Sequence, residues 1–283
     1  MFTRMVMNVM YGPEIKKIRV AKSLSLKSVY VGVCSKTNAI KFEKGDRTLA
    51  ADKFHQVLSN LMITMDEFLW INNDFKPTLG DYRQYQLKET WNSDQLTDFE
   101  VLIHQVEGEK NQIERVKLAS YRLLSHYKAQ KKSAKGDLDL VIDYFSNLSA
   151  WTLEDVRFFA NNCYVLPYDQ MLNLLTEVLK VLQRYRYYPQ SKAIFATAFL
   201  NCVDRMIRHA DFSKSLVIIE QLKLLTSEVT MAGYRLLVMY YEAKIQYLRK
   251  DKASGKVALL KVLKTAQFLG ATQIVTEIDK LLK

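Results

Sequence analysis

Hydrophobic residues recur every three to four positions along most of the chain, a spacing that predicts α-helices. On this pattern, residues 12–75 divide into about five short helices. Glycine and proline, the residues that interrupt helices, number only 9 and 4 among 283 residues. We therefore predict an all-α protein that begins with a compact five-helix domain.

The clearest single helix is predicted within "SKTNAIKFEKG", residues 35–45. Ala39 and Phe42 lie three residues apart and share one face, while polar residues fill the first turn. Ser35 is a typical N-cap residue, and Gly45 suits the left-handed conformation that ends many helices. The pattern predicts a helix that is anchored at its rear and polar and cationic at its front.

Only the residues "GVCS" separate this third helix from the second, "LKSVYVGV", which Ser25 caps. So short a connection forces the two helices to cross steeply and leaves the first turn of the third helix projecting. This is the helix-turn-helix arrangement, in which the N-terminal residues of the second helix of the pair enter the DNA major groove.

The best domain boundary is "NNDFKPTLGDY", residues 72–82, which contains both Pro77 and Gly80. We predict a first domain over residues 1–75 and a second over residues 76–283. The second reads as helical pairs of about 40 residues, and "RHADFSKSLVIIEQL" resembles "RKDKASGKVALLKVL" at an offset of 41. This weak repeat predicts stacked helical pairs of the TPR kind, with an irregular helical bundle as the alternative.

The positive charge is concentrated near the N-terminus. The net charge is +11, and residues 1–60 contain eleven Lys or Arg but only four Asp or Glu. A basic domain on a nearly balanced body favours a polyanionic partner, with nucleic acid ahead of a membrane surface. The alternative is a solvated surface that keeps the protein soluble.

The third helix supplies the candidate DNA contacts. Hydroxyl, ammonium and amide groups in its first turn can bond phosphates, and Lys and Asn can read base edges. Lys41 follows one turn later, and Arg47 in the next loop can grip a phosphate. Glu43 would be repelled by DNA, so we predict an internal salt bridge from it to Arg19. The predicted DNA-binding residues are Ser35, Lys36, Thr37, Asn38, Lys41 and Arg47.

No sequence motif indicates an enzyme, a cofactor or a metal site: a glycine-rich phosphate loop, HExxH, GxSxG and clustered Cys/His are all missing. The three cysteines fit no disulfide framework, and no apolar run reaches the length of a signal peptide or membrane span. A cytoplasmic, non-enzymatic protein is therefore expected. Cys34 lies beside the start of the third helix, a position that can lower the pKa of a thiol and allow redox sensing, but we favour the interpretation that it is an inert small residue.

The N-terminal motifs resemble those of the Rgg/GadR/MutR transcriptional regulators of streptococci and relatives. The resemblance rests on "IKKIRVAKSLSLKSVY", "SKTNAIKFEKG" and "LAADKFHQVLSNLMITMDEFL", then on "EDVRFFANN" in a long helical C-terminal region. It implies a homodimer with an N-terminal Cro/cI-type helix-turn-helix domain. It also implies a TPR-like C-terminal domain that binds a short signalling peptide.

Candidate peptide-binding residues come in two pairs. Arg157 and Asn161 lie one helical turn apart, as do Asn201 and Arg205, and the pairs recur 44 residues apart. Asparagine side chains can meet a peptide amide with a donor and an acceptor together. In the resemblance, Asn161 and Asn201 fall at family asparagines, and the arginines can meet a peptide carboxylate. The full predicted set is Arg157, Asn161, Tyr185, Asn201, Arg205 and Arg235.

Two functions from different classes remain open on the sequence. The first is a sequence-specific DNA-binding regulator that a short peptide controls. The second is a TPR-like interaction scaffold whose basic N-terminal domain binds protein. Both predict the same folds, and they differ in whether the third helix meets DNA.

Overall fold

A computed structural model of the protein describes residues 10–93, 95–105, 111–131, 134–249 and 251–283. Within these ranges the chain is helical, as predicted, with one short 3₁₀ helix over Val229–Met231. The α-helices are α1 Tyr11–Ala21, α2 Leu26–Tyr30, α3 Lys36–Lys44, α4 Ala51–Asn60, α5 Met65–Asn72, α6 Leu79–Asn92, α7 Leu96–Gln105, α8 Gln112–Lys128, α9 Lys135–Ser146, α10 Leu153–Asn162, α11 Tyr168–Arg184, α12 Ser191–Arg208, α13 Phe212–Leu225, α14 Ala232–Leu248, α15 Lys252–Phe268 and α16 Thr272–Leu282.

The five helices predicted for residues 12–75 are α1 to α5. The side chain of Ser25 accepts a hydrogen bond from the third backbone N–H of α2, and that of Ser35 does the same in α3. Gly45 ends α3 with a left-handed φ of 85°. The helices enclose one hydrophobic core, in which Val57 and Phe68 are fully buried. The helix-turn-helix fold of this part of the chain is confirmed.

The chain forms two compact units, residues 1–93 and 94–283. The helix α6 therefore belongs with the first unit, beyond the predicted limit at residue 75. Its start is fixed by Thr78, whose hydroxyl accepts a hydrogen bond from the Asp81 N–H at 3.1 Å. Only Leu87 in α6 is buried, so this helix adds little to the core of the first unit.

The second unit is built from stacked helical pairs, as the TPR-like prediction requires. Successive pairs are α10 with α11, α12 with α13 and α14 with α15. The first helix of each pair packs on that of the next, since α12 contacts both α10 and α14. Phe159, Phe195 and Phe199 are fully buried in the core that these helices share. We call α10, α12 and α14 the A helices.

The helices α13 and α15 start 40 residues apart, so the predicted offset of 41 is wrong by one position. Asp211 caps α13 and Asp251 caps α15, each through a hydrogen bond from the backbone N–H three residues later. The buried positions Ser215 and Gly255 follow at the same spacing. A Cβ on Gly255 would lie 2.3 Å from the Tyr247 Cα, so this position of α15 needs a small residue.

Candidate DNA-binding and peptide-binding surfaces

The helix α3 is held against α1 by a close backbone approach. A Cβ added to Gly12 would lie 1.6 Å from the carbonyl oxygen of Phe42, so only glycine fits where the two helices cross. The turn before α3 contains Gly32 with a φ of 74°, a left-handed conformation that favours glycine. Two glycines thus position α3. A Cβ at Gly12 would overlap the Phe42 backbone, and a Cβ at Gly32 would strain its left-handed conformation.

A buried ion pair fixes the same two helices. The Arg19 Nε and Nη2 atoms each donate to one Glu43 carboxylate oxygen at 2.7 Å, and Nη1 donates to the Leu24 carbonyl at 3.0 Å. The Glu43 side chain is 5% exposed and that of Arg19 is 14% exposed. The predicted salt bridge is confirmed, and it explains an acid on an otherwise cationic helix: Glu43 faces inward and Arg19 neutralises it.

The predicted DNA contacts lie on the opposite, outward side of α3. Ser35, Lys36, Thr37 and Lys41 are exposed and Asn38 is half-buried. Arg47, in the loop after α3, is also exposed, and its guanidinium donates a hydrogen bond to the Asn38 Oδ1 atom at 2.5 Å. The structure therefore leaves the six predicted residues at least partly accessible along α3 and the following loop, from the N-cap Ser35 to Lys41 in the last turn and Arg47 beyond it. Their contact with DNA stays a prediction.

The structure favours the interpretation of Cys34 as an inert small residue over that of a reactive thiol. Cys34 is half-buried, and burial raises its pKa, while the nearby charges of Lys53 and Arg47 oppose that effect only in part. Desolvation of the thiolate outweighs the two cations and the helix N-terminus. Cys34 is therefore a poor nucleophile in this structure.

The predicted peptide residues of the A helices divide into an exposed and a structural group. Asn161 on α10 is exposed. Asn201 on α12 is half-buried, and its Nδ2 atom donates to the Ala160 carbonyl at 3.0 Å, while the Tyr164 hydroxyl donates to its Oδ1 atom at 3.4 Å. Asn201 thus ties α12 to the last turn of α10, in addition to any contact with a ligand.

The two arginines of this set have different surroundings. Arg157 is exposed on α10, with its Nη1 atom 3.3 Å from a Glu154 carboxylate oxygen. Arg205 is half-buried and donates to the Cys163 carbonyl just after α10 ends, and burial lowers its pKa. The starts of α11 and α13 lie 44 residues apart and those of α13 and α15 lie 40 apart, so the spacing of the helical pairs varies along the chain. The recurrence of the two residue pairs at 44 residues stays a prediction.

The remaining two candidates lie elsewhere in the second unit. Tyr185 is half-buried just after α11, with its ring centroid 5.9 Å from that of Tyr188. Arg235 on α14 donates to the Lys223 carbonyl of α13 at 3.4 Å and lines a cavity of about 400 Å³ with Glu228 and its neighbours. Its guanidinium is thus directed toward α13, and the structure does not group it with Asn161 and Asn201.

The sequence interpretation missed a second row of polar side chains, which begins just after α10 and continues on α12 and α14. Tyr164, Asp204 and Lys244 recur 40 residues apart, and Arg208 lies one turn after Asp204. Asp204 is buried and accepts a hydrogen bond from the Arg208 Nε atom at 2.8 Å. The spacing of 40 residues was the signal that would have revealed this row.

Two further features bear on the class of protein. Within the described ranges, every helix is too short or too polar to cross a lipid bilayer. The same part of the chain contains no group of three or more His, Cys, Asp or Glu side chains arranged to hold a metal ion.

A helix-turn-helix unit with an exposed cationic α3, followed by stacked helical pairs, is the architecture of a helix-turn-helix transcriptional regulator. Residues 93–280 match a family model described as the C-terminal domain of the HTH-type transcriptional regulator Rgg. This match covers more than half of the 283 residues. The chain belongs to the Rgg family of transcriptional regulators, as the N-terminal motifs predicted.

Solved structures share this fold over nearly the whole chain. A candidate transcriptional regulator from Listeria monocytogenes EGD-e is 24% identical, with a TM-score of 0.84 over 96% of each chain. The SHP pheromone receptor Rgg2 of Streptococcus dysgalactiae is 16% identical, with a TM-score of 0.77 over 95% of this chain and 97% of that one. PrgX, in its complex with cCF10, is 15% identical, with a TM-score of 0.71 over 96% and 98%.

Proposed function

We propose that the chain is a sequence-specific DNA-binding transcriptional regulator whose activity is controlled by a short signalling peptide bound to the A helices of the second unit. The observation that carries the DNA part is the position of α3. Its inner face is fixed by Gly12 and the Arg19–Glu43 pair, and its outer face presents Lys36 and Lys41 to solvent.

The outward side of α3 has the chemistry that a duplex requires. Lys36, Lys41 and Arg47 supply positive charge for phosphates, while Thr37 and Asn38 supply polar groups for base edges. The only acid in α3 is Glu43, which is buried and neutralised. The helix α3 itself has several exposed cations and no exposed carboxylate, and Asp46 in the following loop is exposed beside Arg47. This excess of positive charge favours DNA over a protein partner of mixed charge.

The first prediction concerns the salt dependence of DNA binding. Replacing Lys36 and Lys41 together by alanine should weaken binding to every duplex, because each lysine releases condensed counterions from a phosphate. The slope of log affinity against log salt should fall by about 2, or about 1 per lysine. The measurement is a titration of the full chain with a duplex recovered from genomic fragments, between 50 and 200 mM salt.

Lys264→Ala is the control, because it removes one exposed charge from α15 in the second unit. Its salt slope should equal that of the wild-type chain. An unchanged slope in the Lys36→Ala, Lys41→Ala double variant would rule out α3 as the DNA-contacting helix and favour the scaffold function.

The peptide part rests on the row formed by Asn161 and Asn201, and on the relatives. PrgX has been solved with cCF10, and Rgg2 is a pheromone receptor. In this chain the two asparagines lie near the C-terminal ends of adjacent A helices, 40 residues apart. Amides that repeat along stacked helices can hydrogen-bond an extended peptide backbone at successive residues.

The second prediction separates the two asparagines. Asn161→Ala should weaken binding of a peptide selected from a random octapeptide library about tenfold, since two neutral hydrogen bonds are lost. Stability should not change, because Asn161 is exposed. Asn201→Ala should weaken binding similarly and also cost about 1 kcal/mol of stability, because Asn201 bonds the Ala160 carbonyl.

The measurements are calorimetric titration and hydrogen exchange of α10 and α12. Gln183→Ala is the control, on the exposed surface of α11, and it should alter neither quantity. If both asparagine variants bind the peptide as tightly as the wild-type chain, these residues do not contact it.

Control of DNA binding then follows from geometry. We propose a homodimer, in which two α3 helices meet half-sites about one helical turn, roughly 34 Å, apart. The peptide controls transcription only if it binds one arrangement of the dimer more tightly than another, whatever its total affinity.

A further inference from the structure

The last turns of the A helices carry a cluster of charged side chains that the proposed asparagine contacts do not use. Asp204 on α12 is 6% exposed. The Nε atom of Arg208 donates to one of its oxygens at 2.8 Å, and the Nζ atom of Lys244 lies 4.0 Å from the other. We call Asp204, Arg208, Tyr240 and Lys244 the A-helix charge cluster.

The cluster contains more positive charge than its carboxylate needs. Arg208 alone satisfies Asp204 with a direct hydrogen bond, while Lys244 at 4.0 Å lies beyond hydrogen-bond distance. The acid nearest on α16, Glu277, has its own partner, since the Lys280 Nζ atom lies 3.7 Å away.

This charge is partly removed from water. The Lys244 side chain is only 17% exposed, and its ammonium lies 5.4 Å from the ring centroid of Tyr240 and 5.8 Å from that of Tyr241. Aromatic faces compensate part of the desolvation of a cation but do not replace an anion. An ammonium in such surroundings gains free energy when a carboxylate binds beside it.

Tyr240 provides an independent indication of a missing ligand group. Tyr240 is only 4% exposed, and its hydroxyl has no hydrogen-bond partner among the described residues. Burial and then the charges of Glu277 and Asp204 raise the pKa of Tyr240 to about 12, so the hydroxyl stays protonated and remains a donor. A buried donor without an acceptor costs about 1–3 kcal/mol.

We propose that the A-helix charge cluster is a carboxylate-binding site, which recognises an acidic group of the peptide through Arg208, Lys244 and the Tyr240 hydroxyl. The proposal rests on the proposed function, because the ligand is the peptide of the second unit. The Arg208 side chain is 63% exposed and gives the site its access to solvent. The carboxylate belongs either to the C-terminus of the peptide or to an Asp or Glu side chain.

The test uses three random octapeptide libraries and the full-length chain. The first has free C-terminal carboxylates and no Asp or Glu, the second is amidated and contains Asp and Glu, and the third is amidated without acids. The third library should be retained at least about tenfold less than one of the others, which is the loss expected when charge-assisted hydrogen bonds are missing. Which acidic library is retained identifies the source of the carboxylate.

Variants connect this preference to the cluster. Arg208→Gln should abolish the preference for acidic peptides, and Arg208→Lys should restore most of it, because the charge returns. Lys180→Gln is the control: it removes one exposed charge from α11 and should leave the preference intact. Hydrogen exchange of α12 and α14 verifies that each variant is folded.

The outcomes separate the two proposals. If the acid-free amidated library binds as well as the others, or if Arg208→Gln keeps the preference, the carboxylate site is wrong while peptide binding stands. If the folded chain retains no library, peptide control itself is overturned, and the carboxylate site with it.

Discussion

The Gly12→Ala variant should lose DNA binding and destabilise the first unit by about 3 kcal/mol or more, the upper range for inserting a group into a packed contact. Its Cβ would lie 1.6 Å from the Phe42 oxygen and 2.5 Å from the Phe42 carbonyl carbon. Both are backbone atoms, so no side-chain rotation relieves the overlap. The helix α3 has to move away from α1, although alanine is the better helix former.

The measurement is hydrogen exchange of peptides from α1 and α3, which reports on the first unit separately from the second. Gly80→Ala is the matched control, because the nearest atom to its new Cβ is the Thr78 Oγ1 atom at 3.8 Å, an ordinary contact. Exchange in α1 and α3 should stay unchanged there. If Gly12→Ala keeps the hydrogen-exchange protection of α1 and α3 and the DNA affinity of the wild-type chain, α1 and α3 do not cross at this point.

Removing Arg19 should be nearly as damaging. Arg19→Met leaves the Glu43 carboxylate 5% exposed without its cation, and breaking a buried ion pair in this way costs about 3–5 kcal/mol. It also removes the donor to the Leu24 carbonyl, which lies between α1 and α2. Hydrogen exchange of α1 to α3 should therefore accelerate by more than a hundredfold, the ratio that about 3 kcal/mol represents.

The double variant Arg19→Met, Glu43→Met tests the reason for that loss. Because well-packed apolar residues can replace a buried ion pair without penalty, the double variant should recover most of the stability. Lys17→Met, on the exposed side of α1 beside Glu14, is the control and should leave the hydrogen exchange of α1 to α3 unchanged. A double variant no more stable than Arg19→Met would mean that the packing of Arg19, not its charge, matters.

The first unit was predictable because its determinants are local. Ser25, Ser35 and Gly45 specify where α2 begins and where α3 begins and ends, through capping groups within three residues of each helix end. The burial of Glu43 could be predicted because DNA would repel an exposed carboxylate on this helix, so the carboxylate needs a cationic partner inside the protein. The sequence pattern also predicted that Lys36 and Lys41 are exposed, because their positions on a single helix follow from the buried positions of Ala39 and Phe42.

The second unit was predicted less well because its surface is assembled from several helices. The offset between α13 and α15, predicted as 41 residues, is 40, and at a spacing of 40 the polar side chains of Tyr164, Asp204 and Lys244 fall in register. A shift of one residue rotates a helical position by about 100°, so small errors in period exchange one face of a helix for another. The hydrogen bond from Arg205 to the Cys163 carbonyl joins residues of different helical pairs, and no local sequence pattern predicts it.

The hydrogen bond between Arg47 and Asn38 has a consequence for how bases are read. An asparagine recognises adenine by donating and accepting at once. The Arg47 guanidinium occupies one of the two lone pairs of the Asn38 oxygen, so the second lone pair and the Asn38 amide group are still able to bond a base. If Asn38 reads adenine, as proposed, the bond to Arg47 holds its side chain in one orientation before a duplex arrives, and less rotational freedom is lost when the base binds.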